Sequence, residues 1–402
     1  MSFKLSGRAG EIDDGVFRIA LGLPSDVLKL TAGEPDFPSS DFVNSAANAS
    51  IGRGETHYTN PSGIPELREE IAGKLRKEND LSYGAEEIVV TPGSSPGIWL
   101  LMFALADRGD EILIPDPAWF HYSVLARLAG CVPKRLPLKK ENGYRISAAD
   151  IEELAGKKTK LMIINTPSNP TGRVMGREEL SEIAAAAENS RMYVVSDEIY
   201  EKIVYPPHRH VSLASLPGMK ERTIVVNGLS KGYAMMGWRI GFTASSAELA
   251  SKLSSLLGYT MVCASSVSQN AAVEALRNRK SEEYARMMVE AWSRRRDLVI
   301  KAVKGSDGLI DMIPPDGAFY AWMNVSSSGM DGKTFASRLL KERKVGVLPG
   351  YLFGDTGRDF IRISFATSDD VVSEGMERIV DFIRSQSTAA KWAPSSTAGK
   401  AE

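Results

Sequence analysis

The sequence is poor in the residues that build metal centres and covalent cross-links. Its 402 residues include two cysteines, Cys131 and Cys263, and four histidines, His57, His121, His208 and His210. The cysteines lie far apart and form neither a disulfide framework nor a metal-ligand spacing, and so few histidines make a zinc site a poor expectation. An excess of one charge is also missing. Forty-nine Lys and Arg against 50 Asp and Glu leave a net charge of -1, which gives no electrostatic footprint for nucleic acid or an anionic membrane. No apolar run approaches bilayer length, and the opening segment "MSFKLSGRAG" has no apolar core of the kind a signal peptide carries. No internal repeat is apparent. The expectation from these absences is a cytoplasmic protein with no metal, nucleic-acid or membrane partner.

What is present reads as an α/β protein. The chain is 43% hydrophobic and 25% charged, ordinary for a globular fold and long enough for one large core with a smaller attached lobe. Five short apolar runs, "EEIVVTPGSS" (86–95), "DEILIPDPAWF" (110–120), "KLMIINTPSNPTG" (160–172), "RMYVVSDEIY" (191–200) and "RTIVVNGLSK" (222–231), each break into a polar or Gly/Pro turn. Runs like these are strands buried on both faces. Helical stretches such as "PGIWLLMFALADRG" and "REELSEIAAAAENS" alternate with them, which predicts a large domain with a mostly parallel sheet flanked by helices. Beyond about residue 285 a long charged helix, "PDGAFYAWMNV", a helix near 333–343 and "DFIRISFAT" predict a smaller α+β domain built from both chain ends. The expected boundaries are 1–45 for the N-terminal arm and part of the small domain, 46–285 for the large domain and 286–386 for the rest of the small one. Residues 387–402, rich in Ser, Ala and Thr, read as a flexible tail.

Open parallel sheets bind ligands beyond the carboxyl ends of their strands, and the polar residues there form an unusual set. Asn169 follows one strand, Asp197 ends the next with Tyr200 three residues on, and Lys231 follows the one after, inside "GLSKGYAMMGWRIG" (228–241). That stretch contains no acidic residue to pair with Lys231, and burying an unpaired ammonium drives it toward the neutral amine. A neutral lysine, a carboxylate, an amide and a phenol, with Arg239 and a "PGSSPG" turn opening a helix, fit a phosphorylated aromatic aldehyde. The lysine forms a Schiff base, the aspartate holds a ring nitrogen protonated, and the turn and arginine take the phosphate. That ligand is pyridoxal phosphate. Taken singly, each residue has a plainer reading: lysines are mostly exposed, an aspartate after a strand is often a helix cap, and a Gly/Ser turn is often only a loop.

The same stretch resembles the lysine-attachment segment of the class I/II aminotransferases, fold-type I pyridoxal phosphate enzymes related to aspartate aminotransferase. "LTAGEPDFP" (30–38), "HYTNPSGIPELREEIA" (57–72), "NTPSNPTG" (165–172), "VSDEIY" (195–200), "VLPGYLFG" (347–354) and "FIRISFAT" (360–367) are similar to family segments in the family's order. The resemblance implies that Lys231 holds the cofactor and moves the substrate proton. It implies that Asp197 pairs with the pyridinium nitrogen, and that Asn169 and Tyr200 hold the phenolate oxygen. Gly93, Ser94, Ser95, Ser230 and Arg239 would take the phosphate, with Trp119 stacked on the ring. Arg362 would grip the substrate carboxylate, Gly33 would allow close backbone approach, and Tyr58 would reach the phosphate of a neighbouring subunit in a homodimer. The substrates implied are an L-amino acid and a 2-oxo acid.

One departure concerns substrate choice. Aspartate-specific members often carry a lysine in the turn that here reads "GSSPG", and Ser95 stands in its place. Neutral, aromatic or branched donors become plausible. Pro96 is unusual there too, although a first-turn proline costs a helix little. A fold-type I lyase or decarboxylase, such as a carbon-sulfur lyase, and a ligand sensor built on the same domain are the alternative functions. Arg362 favours the aminotransferase, because a second substrate must be held by the same carboxylate.

Overall fold

The computed structural model describes residues 4–10, 12, 19 and 22–391. Its strands are β1 (Leu28–Lys29), β2 (Ile88–Thr91), β3 (Glu111–Asp116), β4 (Val132–Pro137), β5 (Thr159–Asn165), β6 (Tyr193–Asp197), β7 (Thr223–Gly228), β8 (Gly241–Ala244), β9 (Asp311–Met312), β10 (Tyr320–Asn324), β11 (Val345–Gly346), β12 (Leu348–Pro349) and β13 (Phe360–Ser364). Seven of them form the main sheet in the order β2-β8-β7-β6-β5-β3-β4. All run in one direction except β8, which is antiparallel to both of its neighbours.

Side chains alternate between the two faces of a strand, and in β5 both faces are apolar. Ile163 packs with Ile98, Leu101 and Met102 of the helix Ser94–Leu105. Met162 and Ile164 pack with Ile183 and Ala186 of the helix Arg177–Asn189 on the opposite face. This double burial is why the strands read as continuous apolar runs, and it leaves only their ends to carry polar chemistry.

The second sheet has the order β12-β13-β10-β9 and is antiparallel. The helix Lys280–Lys304 packs against this half of the molecule through Ala285, Met288, Trp292, Arg295 and Val299, a three-then-four spacing that makes one buried stripe. Trp292, Phe319, Phe335 and Phe382 are fully enclosed there, and each such side chain contributes roughly 2 to 3 kcal/mol by leaving water. Segments far apart in sequence meet at this core. β1 pairs in parallel with β11, and the backbone amide of Ser364 donates to the carbonyl of Leu30. Arg295, 6% exposed, bonds Asp36 through Nη1 at 2.9 Å and Asp369 through Nε at 2.8 Å.

The final helix runs from Asp369 to Lys391. It continues past residue 387, where the sequence reading starts a tail, because no glycine or proline interrupts the chain before Pro394. Residues 392–402 of that expected tail lie outside the described residues. No helix among the described residues is long and apolar enough to cross a membrane.

Candidate active site

The carboxyl ends of five main-sheet strands deliver side chains to one cavity of about 570 Å³. Ser94 and Ser95 follow β2, Trp119 follows β3, Asn169 follows β5, Asp197 ends β6 with Tyr200 just beyond, and Ser230 and Lys231 follow β7. The side facing the second sheet is closed by the segment 31–34, Tyr320 and Arg362.

The floor at β2 is made for an anion. Gly93 caps the helix Ser94–Leu105 with φ of 94°, a conformation that glycine adopts without strain. A Cβ at Gly93 would also lie 2.3 Å from Nη2 of Arg239, so only glycine lets the guanidinium lie against this turn. Arg239, itself at φ 54°, donates from Nη1 to the carbonyl of Met236 at 2.9 Å. A guanidinium beside unpaired amides at a helix N-terminus is a phosphate-binding arrangement.

Lys231 sits deeper. Its ammonium donates to the carbonyl of Gly33 at 2.5 Å and forms no salt bridge among the described residues. Burial lowers its pKa to about 8, and Arg239 and Arg362 push the same way, while the carboxylates of Glu34 and Asp197 oppose the shift. Asp197 is 2% exposed. Its Oδ2 accepts from the hydroxyl of Tyr122 at 2.7 Å and its Oδ1 from the amide of Ile199 at 3.2 Å. Burial nonetheless raises its carboxyl pKa to about 6. A carboxylate held high by burial gains most from a cation placed beside it.

Arg362, on β13, is 3% exposed. Its Nη1 donates to Oδ1 of Asn169 at 3.2 Å and its Nη2 to the carbonyl of Thr31, while Nε has no partner among the described residues. Its guanidinium carbon stands 4.4 Å from the ring centroid of Tyr320 and 5.2 Å from that of Phe353. The Tyr320 and Tyr200 hydroxyls are 2.7 Å apart. Asn165 fixes the loop that carries Asn169: its Oδ1 accepts from the Asn169 amide at 2.8 Å and its Nδ2 donates to the Asp197 carbonyl at 2.9 Å.

Thus Gly33, Ser94, Ser95, Trp119, Asn169, Asp197, Tyr200, Ser230, Lys231, Arg239 and Arg362 line one cavity, with Gly93 at its floor. Tyr58 does not. It is 84% exposed and lines a separate groove with His57, Arg53 and Arg277. Sequence reasoning missed Tyr122, Asn165, Tyr320, Glu34 and His121, all of which line the cavity. Asn165 and Tyr122 lie in quoted segments or beside them, but nothing in their spacing distinguishes them from core residues.

Two guanidinium groups, Arg239 and Arg362, a lysine biased toward its neutral form and a buried acid fit a phosphorylated pyridine aldehyde. The fold and site are those of a pyridoxal phosphate enzyme, and the chain belongs to the aminotransferase class I and II family, which matches residues 25–379. It is an aminotransferase, and pyridoxal phosphate is its cofactor. It is 41% identical to a probable aspartate/prephenate aminotransferase of Aquifex aeolicus, over 88% of this chain and 90% of the relative. Two solved structures are similar along nearly their whole length. The aspartate aminotransferase of Thermus thermophilus with maleate has a TM-score of 0.89 at 34% identity, covering 94% of this chain and 100% of that one. The aromatic aminotransferase of Pyrococcus horikoshii has a TM-score of 0.88 at 36% identity, covering 92% and 99%.

Proposed function

We propose that this cavity exchanges an amino group between an L-amino acid with an uncharged, bulky side chain and a 2-oxo acid, in two half-reactions. The observation that carries the reading is the convergence of Lys231, Asp197 and Arg362 on one cavity, with the lysine amine bonded to the Gly33 carbonyl. Pyridoxal phosphate supplies the electron sink for the charge left at the substrate α-carbon. Lys231 Nζ would anchor the cofactor and hold the proton taken from the substrate α-carbon. Asp197 keeps the proton on the ring nitrogen, and Tyr122 keeps Asp197 in place. Asn169 and Tyr200 donate to the ring oxygen, and Trp119 covers the ring face. Gly93, Ser94, Ser95, Ser230 and Arg239 hold the phosphate. Arg362 takes the substrate α-carboxylate, and the absence of a side chain at Gly33 leaves room for it.

The substrate class follows from what else lines the cavity. Among the described lining residues the cations are Lys231, Arg239 and Arg362, each already assigned. His121 lies there too, but burial pushes its pKa down to about 4 and keeps it neutral. Glu34 adds a negative charge, and Trp119, Phe120, Met236 and Leu348 add apolar surface. A second carboxylate on the substrate would meet no further cation among the described lining residues. The test is a donor screen against 2-oxoglutarate, pyruvate and oxaloacetate. Aromatic or branched donors should give higher kcat/KM than aspartate, and an aspartate preference would overturn the substrate class.

Arg362→Lys tests the shared carboxylate grip. A guanidinium fork matches a carboxylate in two parallel bonds and an ammonium does not, so kcat/KM should fall roughly 100-fold for every donor alike. A loss confined to one donor would mean that Arg362 reads the variable side chain.

The exposure of Tyr58 supports a cytoplasmic homodimer in which this residue enters the other subunit's site, and the two free cysteines suit that compartment. Mixing inactive Lys231→Ala chains with inactive Tyr58→Ala chains under subunit exchange should then restore part of the activity, because one site in each hybrid keeps both residues. Verified hybrids without activity would remove Tyr58 from the site.

A further inference from the structure

We propose that Tyr320 is a positioning residue that ties the carboxylate-binding arginine to the tyrosine facing the cofactor's ring oxygen, with its hydroxyl acting on Tyr200 and its ring on Arg362. The inference rests on the assignment of Tyr200 to that oxygen, made above.

The geometry comes from the small sheet. β10 and β13 are antiparallel, with Tyr320 opposite Ser364 and Trp322 opposite Arg362. Tyr320 and Arg362 are therefore diagonal neighbours on one face, within reach of long and aromatic side chains. The guanidinium lies 4.4 Å from the centroid of the Tyr320 ring, where the ring's negative face attracts it, more strongly because both groups are buried. The same ring meets Tyr200 edge-on, with centroids 5.6 Å apart at 85°, and the two hydroxyls are 2.7 Å apart. A Cβ at Gly33 would lie 2.5 Å from the Tyr320 hydroxyl, so the missing side chain there is what lets this hydroxyl reach its partner.

The hydrogen-bond direction follows from valence. A tyrosine hydroxyl has one proton. If Tyr200 gives its proton to an anionic oxygen, its own oxygen can only accept from Tyr320. The order is Tyr320 to Tyr200 to the anion, and each bond in such a chain polarises the next. Removing the first hydroxyl weakens the last bond without touching the anion itself. The weaker donor leaves more charge on the ring oxygen, which then holds the neighbouring proton more tightly.

The experiment is a pH titration of the visible absorbance of the bound cofactor in the holoenzyme and in Tyr320→Phe, Tyr200→Phe and the double variant. Tyr320→Phe should raise the midpoint by about half a pH unit, in the direction of Tyr200→Phe but by less. In the Tyr200→Phe background the second change should add nothing. The KM for the amino donor should stay within about twofold in Tyr320→Phe, since the ring remains under Arg362, and rise several-fold in Tyr320→Leu, which removes it. Equal cofactor content in all variants checks that they fold. If Tyr200→Phe moves the midpoint and Tyr320→Phe does not, or if the two shifts add, the proposal is overturned while the role of Tyr200 stands. If neither moves it, the role of Tyr200 fails and the proposal with it.

Discussion

Lys231→Ala should lower transamination by about 10⁴-fold or more, since it removes both the cofactor's covalent anchor and the base that moves the proton. Borohydride treatment should fix the cofactor to the parent protein and leave none on the variant. The chemistry depends on the amine being neutral, and here burial lowers the pH at which that state is reached. With a pKa lowered to about 8, the neutral fraction in the cofactor-free protein rises as pH increases through 8, well below the range of an exposed lysine. Labelling at Lys231 by an amine-directed reagent should therefore reach half its maximal rate near pH 8. A midpoint near 10 would show that the side chain is solvated, and turnover at the parent rate in Lys231→Ala would give the base to another residue.

Asp197→Asn should lower kcat by about 10² to 10³, the usual cost of losing one preorganised electrostatic group at a reacting centre. Asparagine keeps an oxygen for the Ile199 amide and nearly the same shape, so the cavity should survive. What disappears is the charge. A buried carboxylate whose pKa is raised to about 6 is ionised at neutral pH and is stabilised by a protonated ring nitrogen, and the ring nitrogen is stabilised in turn. Without that partner the nitrogen loses its proton and the ring draws electrons weakly. Covalent attachment at Lys231 should be preserved, which separates this loss from misfolding. Near-parental kcat in Asp197→Asn would end the assignment.

Five strands of the main sheet are easy to read in the sequence and two are hard. β2, β3, β5, β6 and β7 are apolar runs buried on both faces, so composition alone marks them. β4, "VPKRLP", carries two prolines and two cations, and lies at the sheet edge where these are tolerated. β8, "GFTA", has four residues, too few for a period to show. The site divides in the same way. Lys231, Asp197 and Asn169 stand at strand ends, where a polar residue is conspicuous. Arg362 lies inside a strand and alone reads as a surface ion-pair partner; that it bonds an amide oxygen and a backbone carbonyl instead becomes visible only in three dimensions. Tyr320 was hidden for a related reason. In "GAFYAW" an aromatic residue on a buried strand looks like core, and its hydroxyl finds Tyr200 across 120 residues of chain.

The pairing of β1 with β11 bears on the order in which the molecule is made. On the ribosome, Leu28 emerges long before Val345, the residue it pairs with. The strands of the main sheet are all made by residue 244 and the helices Ala247–Thr260 and Ser266–Arg277 that pack on them follow directly, so much of this half can assemble while the rest of the chain is still being synthesised, whereas the segment 28–36 waits. Its place against Lys231 and Arg362 is taken only after the last strands arrive. Closing so long a loop adds little to the equilibrium cost, because that cost grows only with the logarithm of length. The delay falls on the rate instead, which makes the completed cavity a late product of folding.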